Sequence, residues 1–149
     1  MKLAWILWLA NHVLPQPAAD QLCLVTTVYL EARNQSELGQ RAVAEVALRR
    51  LDSGRWGDTM CEVVTAPKQF APTLISPNFS LSNVKAFTRA AKISLQLQAE
   101  WRQPNWERNL VVPGADHFVV HQIASPDWAQ GIPVATIGDH TFYRVRARY

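Results

Sequence analysis

Apolar residues recur at three- and four-residue intervals through the first two thirds of the chain, which is the period of an amphipathic helix. The pattern predicts helices over 21–33, 37–51 and 82–101 and places Leu38 on the buried face of the second. Residues 68–80 are rich in proline and hydroxyl side chains, so they predict a loop.

Helix-capping residues mark where these helices begin and end. Asp20 and Ser36 stand where N-caps are expected, and Gly54 suits the left-handed position after a helix. Residues 59–62 (TMCE) form a capping box, which predicts a short helix that stops at Pro67.

After Gly114 the residues become β-branched and aromatic. The segments 117–121 (HFVVH) and 136–149 predict strands that pair antiparallel, with a turn at Gly138. Because the helices precede the strands, we expect an α+β fold, helix-dominated, with a small antiparallel sheet in the C-terminal half. The length fits a single domain over 1–149.

Residues 1–19 allow two interpretations. Lys2, the apolar stretch LAWILWLA and the prolines that follow have the outline of an export signal. The same segment has a helical stripe, so we predict an N-terminal helix that packs on a core formed by 20–149. The stripe consists of Leu3, Leu7, Ala10 and Leu14.

Composition and charge narrow the class of protein. The chain is 48% hydrophobic and 18% charged, as expected of a globular domain, and its net charge is +3. Arg144, Arg146 and Arg148 would share one face of a strand, which suits either a polyanionic partner or a solvated edge. The aromatic residues are not interleaved with basic clusters, so no nucleic-acid partner is predicted. Cys23 and Cys61 are too few for a disulfide scaffold, and their pairing stays open.

Glu31 is the first candidate for chemistry, because nucleotide-binding loops, paired CxxC motifs and nucleophile-elbow serines are all missing from the sequence. It lies at the end of an apolar helix, where a partly desolvated carboxylic acid can stay protonated and act as a general acid. The alternative is a surface ion pair with Arg33.

Two further groups of residues have alternative interpretations. His117, His121 and His140 are either ligands of a zinc ion or ordinary sheet histidines, and we predict no metal and no cofactor. Aromatic and amide side chains suit either a sugar-binding cleft or the core. These are Gln69, Phe70, Trp101, Trp106, Trp128, Phe142 and Tyr143.

Several short motifs, in order and at fitting separations, resemble those of the SleB-type cell-wall hydrolases, a family that includes spore-cortex-lytic enzymes and phage lysins. The resemblance covers about 24–144. The motifs are TVYLEARNQSELGQRAVAEVALRRL at 27–51, DTMCEVV at 58–64, QF at 69–70, GADHF at 114–118, PDW at 126–128 and IGDHTFYR at 137–144.

The resemblance implies a lysozyme-like fold and a lytic transglycosylase that uses one glutamate, which is Glu31 here. Such an enzyme cleaves the bond between N-acetylmuramic acid (MurNAc) and N-acetylglucosamine (GlcNAc) in peptidoglycan and leaves 1,6-anhydro-MurNAc. We expect an endolysin that acts as a monomer in the periplasm or cell wall, without a stable protein partner. It would reach the wall through a holin-type pore or by means of its N-terminal segment.

The chain departs from the family pattern at three places. Asn34-Gln35 replaces Gly-Glu, Arg49 replaces an asparagine, and Ala71-Pro72 displaces an aromatic residue. These changes keep a non-catalytic peptidoglycan-binding module open as an alternative. A hydrolytic muramidase and a zinc amidase are the other two, and the muramidase would need a second carboxylate from Glu37, Glu45 or Asp127.

The expected substrate-binding residues flank Glu31. We expect His117, His140 and Tyr143 to share one sheet face opposite Glu31, because HFVVH and HTFYR pair as neighbouring strands. The full set of predicted substrate-binding residues is Tyr29, Gln69, Phe70, His117, Trp128, His140 and Tyr143.

Overall fold

The computed structural model describes residues 1–67 and 69–145. Helices form the first two thirds and a three-stranded antiparallel sheet follows, so the predicted α+β class is confirmed. The helices are α1 (Leu3–His12), α2 (Gln16–Ala32), α3 (Glu37–Ser53), α4 (Met60–Thr65), α5 (Ala71–Leu74) and α6 (Val84–Glu100), with a short 3₁₀ turn at Asn105–Glu107. The strands are β1 (His117–Val119), β2 (Ala135–Ile137) and β3 (His140–Tyr143).

Most of the predicted helix ends are found. The Ser36 hydroxyl accepts from the Gly39 N–H, the Thr59 hydroxyl accepts from the Glu62 N–H, and Gly54 is left-handed with φ +69°. The predicted N-cap at Asp20 is wrong, because α2 begins four residues earlier. The Asp20 carboxylate instead accepts from the Met60 N–H at 3.0 Å, so it caps α4 across the fold.

Helix α2 is the centre of the core. Every residue from 23 to 30 is buried, because α1, α3, α4 and α6 all pack around this helix. A disulfide between Cys23 and Cys61 joins α2 to α4. On α3 the prediction for Leu38 is wrong: it is 52% exposed, because Gly39 and Gln40 are the residues of that turn that face the core.

Helix α1 packs on the domain through Leu3, Ile6 and Ala10, which are all buried. Its outer face leaves Trp5 and Trp8 more than half exposed. Across 1–67 and 69–145, no helix combines the length and apolar character needed to cross a bilayer.

Helix α5 lies inside 68–80, which the sequence predicts as a loop. It is a single turn that begins with Ala71-Pro72, and both residues are buried. Local composition favours a loop here, and burial against α2 and α4 stabilises the turn instead.

The sheet has the order β1-β3-β2, and both pairings are antiparallel, as predicted. His117 lies opposite Tyr143, and Phe118 lies opposite Phe142. The strands are shorter than predicted, and Arg144 lies just beyond β3. Arg146 and Arg148 lie outside the described residues, so the prediction that they share one strand face with Arg144 stays a prediction.

Candidate active site

Glu31 lies in the last turn of α2 and is partly buried. Its Oε1 accepts a hydrogen bond of 2.5 Å from the backbone N–H of Ala71, the first residue of α5. Burial raises the pKa of Glu31 to about 7, against the smaller lowering effects of the Ala71 N–H and of Arg50. At neutral pH this carboxyl group therefore exists in comparable protonated and ionised fractions.

Arg50 supplies the positive charge beside Glu31. Its Nη1 donates to Gln69 Oε1 at 3.1 Å, and its Nε donates to the Asp116 carbonyl at 2.7 Å. The guanidinium also lies over the rings of Trp56 and Phe70, at 4.5 and 4.8 Å from their centroids.

Arg50 stays charged although it is largely buried. Burial lowers the pKa of Arg50 to about 10, so the group is still a cation at neutral pH. Sequence reasoning missed this residue as part of the site. Its only signal is the second position of the Arg49-Arg50 pair, and the convergence on Glu31 arises from tertiary packing.

Two strings of aromatic contacts connect this region to the sheet. The Phe70 ring contacts Phe118 with a centroid distance of 5.9 Å, and Phe118 contacts His140 at 5.2 Å. On the other side of Arg50, Trp56 contacts His117 at 5.9 Å, and His117 contacts Trp128 at 4.8 Å. The predicted residues of the C-terminal half therefore form one contiguous group with Gln69 and Phe70.

The prediction that His117, His140 and Tyr143 share one sheet face is wrong. Cross-strand partners project to the same side of a sheet and neighbours along a strand to opposite sides. His117 is the partner of Tyr143, so these two share a face, while His140 lies three residues from Tyr143 on the other face. Burial lowers the pKa of His140, which favours the neutral imidazole packed on Phe118.

His117 and Tyr143 both have polar partners on their face. His117 Nδ1 lies 2.8 Å from Asp116 Oδ1, and the Tyr143 hydroxyl lies 2.8 Å from His121 Nε2. Burial raises the pKa of Asp116. The hydrogen bonds from His117 and from the Val145 N–H, together with the nearby charge of Arg50, outweigh burial, so the net effect is a lowered pKa for Asp116.

Tyr29 lies apart from this group. It is 2% exposed, its ring contacts Phe87 at 5.7 Å, and its hydroxyl accepts from the Asn83 N–H at 3.4 Å. Arg33 lies over the Tyr29 ring at 5.2 Å and bonds to backbone carbonyls. The described part of the chain contains no ion pair between Arg33 and Glu31, so the surface ion pair is not the arrangement of Glu31.

The three histidines do not converge as a zinc site would require. His117 pairs with Asp116, His121 with Tyr143, and His140 packs on Phe118. Over residues 1–67 and 69–145 no group of three or more metal-ligating side chains is found.

Glu45, one candidate for a second carboxylate, has a structural role. It is fully buried, and its oxygens accept from the backbone N–H groups of Val111 and Val112 at 2.6 and 3.0 Å. Arg49 Nη2 lies 3.6 Å from the same carboxylate. The other two candidates, Glu37 and Asp127, are exposed on the first turn of α3 and on the segment before β2.

Two of the departures from the family pattern, at Gln35 and Arg49, lie away from Glu31, whereas the third includes Ala71, whose N–H donates to Glu31. Gln35 donates to Asp139 Oδ2 at 2.8 Å and accepts from the Asp139 N–H at 3.1 Å, so it fastens the turn between β2 and β3. Gly138 in this turn has φ +57°, a left-handed conformation that favours glycine. Arg49 bonds to the Ala115 carbonyl at 2.5 Å. Gln35 thus contacts the turn of the sheet, and Arg49 contacts Glu45, the Trp101 ring and the segment that leads into β1.

One comparison with known proteins gives a match. The family model described as Cell Wall Hydrolase matches residues 34–143, which is most of the chain. No curated protein and no solved structure was found to match. The matched stretch includes Arg50, Gln69, Phe70 and the sheet, and it begins just after Glu31. The chain therefore belongs to the SleB-type cell wall hydrolase family, enzymes that act on peptidoglycan.

Proposed function

We propose that the protein is a lytic transglycosylase that cleaves the MurNAc–GlcNAc bond of peptidoglycan with Glu31 as its only catalytic acid. The observation that carries the proposal is the partly buried Glu31 carboxyl with a pKa of about 7, held by the Ala71 N–H. A group with this pKa can donate a proton and take one back near neutral pH.

In the first step Glu31 protonates the glycosidic oxygen, and the bond between that oxygen and C1 of MurNAc breaks. The resulting carboxylate then takes the proton of the MurNAc C6 hydroxyl, whose oxygen bonds to C1 and closes the 1,6-anhydro ring. Glu31 regains its proton and no water is consumed. The substrate supplies its own nucleophile, so the reaction needs neither a second carboxylate nor a metal.

The hydrogen bond from Ala71 orients the acid. Because the N–H donates to Oε1, the proton of the neutral form resides on Oε2 and is available to the substrate. The neighbouring Arg50 cation stabilises the carboxylate that forms when this proton leaves.

For substrate binding we propose Gln69, His117 and Trp128, while Phe70 and Tyr143 are buried and support these residues, as His140 does behind Phe118. Gln69 is exposed and Trp128 is partly exposed, so an amide and a flat ring are available for hydroxyl groups and a pyranose face. Tyr29, in contrast, supports the position of α2 from the core.

We also propose that the protein works as an endolysin in the periplasm. The Cys23–Cys61 disulfide suits this compartment, because disulfides persist under oxidising conditions. Side chains of α1 are buried in the core, so cleavage of residues 1–19 as an export signal would remove part of the core. This favours passage through a holin-type pore with that segment retained. We expect the monomer to be the working form.

Mass analysis of muropeptides released from purified cell walls tests the reaction. We expect 1,6-anhydro ends, which are one water lighter than reducing ends, and none from the Glu31→Gln variant. Glu107→Gln is the matched control, because it removes an exposed carboxylate on the 3₁₀ turn and should release products like the wild type.

Other products would identify the alternatives. Products with reducing ends only would establish a muramidase and refute the transglycosylase step. Binding to insoluble peptidoglycan without any soluble product would indicate a non-catalytic binding module.

A further inference from the structure

A cavity of about 570 Å³ lies between the C-terminal end of α3 and the segment that leads into β1. Glu31 is not part of its lining. Two tryptophans and four arginines are: Trp56, Trp101, Arg49, Arg55, Arg108 and Arg144.

The lining has an excess of positive charge. Its acidic residues are Asp52 and Asp116, against four arginines. Asp52 lies 3.5 Å from Arg108, and Arg49 lies 3.6 Å from the buried Glu45. These contacts hold part of the wall in place and neutralise part of its charge.

Two of the arginines stay available to a ligand. Arg55 and Arg144 are exposed, and within the described residues neither has a carboxylate partner. The Arg55 guanidinium lies 4.8 Å from the Trp56 ring centroid, which orients it at the cavity wall. A neutral glycan strand has no charge that could pair with these cations, so we expect their ligand to be negatively charged.

The cavity and the region of Glu31 share a wall. The Trp56 ring that lines the cavity also contacts the Arg50 guanidinium, at 4.5 Å from the ring centroid. Asp116 lines the cavity as well, and its carbonyl accepts from Arg50 Nε at 2.7 Å. A ligand in the cavity would therefore lie one side chain away from the residue that sets the charge beside Glu31.

We propose that this cavity binds the carboxylates of the peptide stem, so that the enzyme prefers peptide-bearing glycan strands over bare ones. The inference rests on the proposed function. The stem is attached to the lactyl group of MurNAc, next to the bond that is cleaved, and it carries free carboxylates. Arg55 and Arg144 are the residues that select it, because guanidinium groups match carboxylates in geometry and charge.

The preference is measurable as a ratio of two rates. Intact glycan strands with stem peptides are compared with strands from which an amidase has removed the peptides, and kcat/KM is determined for each. We expect the ratio to favour peptide-bearing strands and to fall roughly tenfold in the double variant Arg55→Gln/Arg144→Gln, the loss expected for two partly exposed charge pairs. Arg89→Gln, which removes an exposed arginine of α6, should keep the wild-type ratio.

A binding measurement keeps this test independent of catalysis. A soluble muropeptide is titrated into the Glu31→Gln variant and followed by tryptophan fluorescence, since Trp56 and Trp101 line the cavity. The same muropeptide with amidated carboxylates should bind roughly tenfold more weakly. Equal binding of the two forms, or displacement of the muropeptide by an equal concentration of inorganic phosphate, would overturn the proposal.

The two proposals fail in different ways. Products with reducing ends would refute the transglycosylase step and leave the rate ratio to decide on the cavity. A ratio that is the same in the wild type and the double variant would refute the peptide site and leave the product chemistry intact.

Discussion

Replacement of Glu31 by glutamine should make the protein more stable at high pH than at low pH, relative to the wild type. The raised pKa means that the folded protein holds the Glu31 proton more tightly than the unfolded chain does. Between the two pKa values the folded state binds more protons, so the stability of the wild type falls as the pH rises. Glutamine has no proton to lose and keeps the Ala71 hydrogen bond through its amide oxygen.

The size of the effect follows from the two pKa values. A rise from the ordinary 4.5 to about 7 corresponds to about 3 kcal/mol, at 1.36 kcal/mol per pH unit. The contribution is present in full below pH 4.5 and lost above pH 7. For a chain of this length, about 3 kcal/mol shifts the melting temperature by roughly 10 °C.

Urea unfolding of both proteins at pH 4 and pH 8 measures the effect. The stability gain of Glu31→Gln over the wild type should be about 3 kcal/mol larger at pH 8 than at pH 4. Glu107→Gln serves as the control, because that carboxylate is exposed on the 3₁₀ turn and its removal should give similar differences at both pH values.

A gain of the same size at pH 4 and pH 8 would refute this account of Glu31. It would mean that the carboxyl group is solvated in the folded protein and that the acid of the reaction must be sought elsewhere.

Three further predictions concern Arg50, the disulfide and the turn between β2 and β3. The rate of cell-wall cleavage should fall about tenfold per pH unit above pH 8, because Glu31 loses its proton. Arg50→Met should shift this fall to higher pH because Arg50 lowers the pKa of Glu31, and an unshifted pH profile would contradict the role of Arg50. Reduction of the disulfide, which closes a loop with a sequence separation of 38, should lower the free energy of unfolding by about 4 kcal/mol in urea melts, and an unchanged midpoint would argue against the bond. Gln35→Glu should lower the free energy of unfolding by about 1–2 kcal/mol near neutral pH, because it places a second carboxylate opposite Asp139. Adding Asp139→Asn should restore the lost stability, and a double variant that is no more stable would refute the pairing.

The parts of the fold that depend on local chemistry are predictable from the sequence. Ser36, Thr59 and Gly54 each act on backbone groups within four residues, so their roles can be read without knowledge of the fold. Asp20 looks like a cap for the same local reason, but its partner Met60 is 40 residues away and cannot be inferred from the pattern.

The candidate site shows the same limit. His140 and Tyr143 are three residues apart on one strand, so the alternation of side chains alone places them on opposite faces. Which of the two shares a face with His117 depends on the register between β1 and β3, which the sequence pattern does not fix. Arg50 lies near enough to lower the pKa of Glu31 because α3 packs against α2, and no periodicity in the sequence reports that packing.

The structure explains how one carboxyl group can serve both steps of the proposed reaction. An acid that donates and then recovers a proton works best when its pKa lies near the ambient pH. Burial alone would push the pKa of Glu31 upward, and the proton would then be held too tightly to transfer well. The Ala71 N–H and the Arg50 cation oppose that rise. Arg50 is bound to Gln69 and Asp116 and packed on two aromatic rings, and within the described residues it forms no ion pair with Glu31, which would lower the pKa further. The pKa near 7 therefore reflects burial first, then the Ala71 hydrogen bond, and then the nearby charge of Arg50.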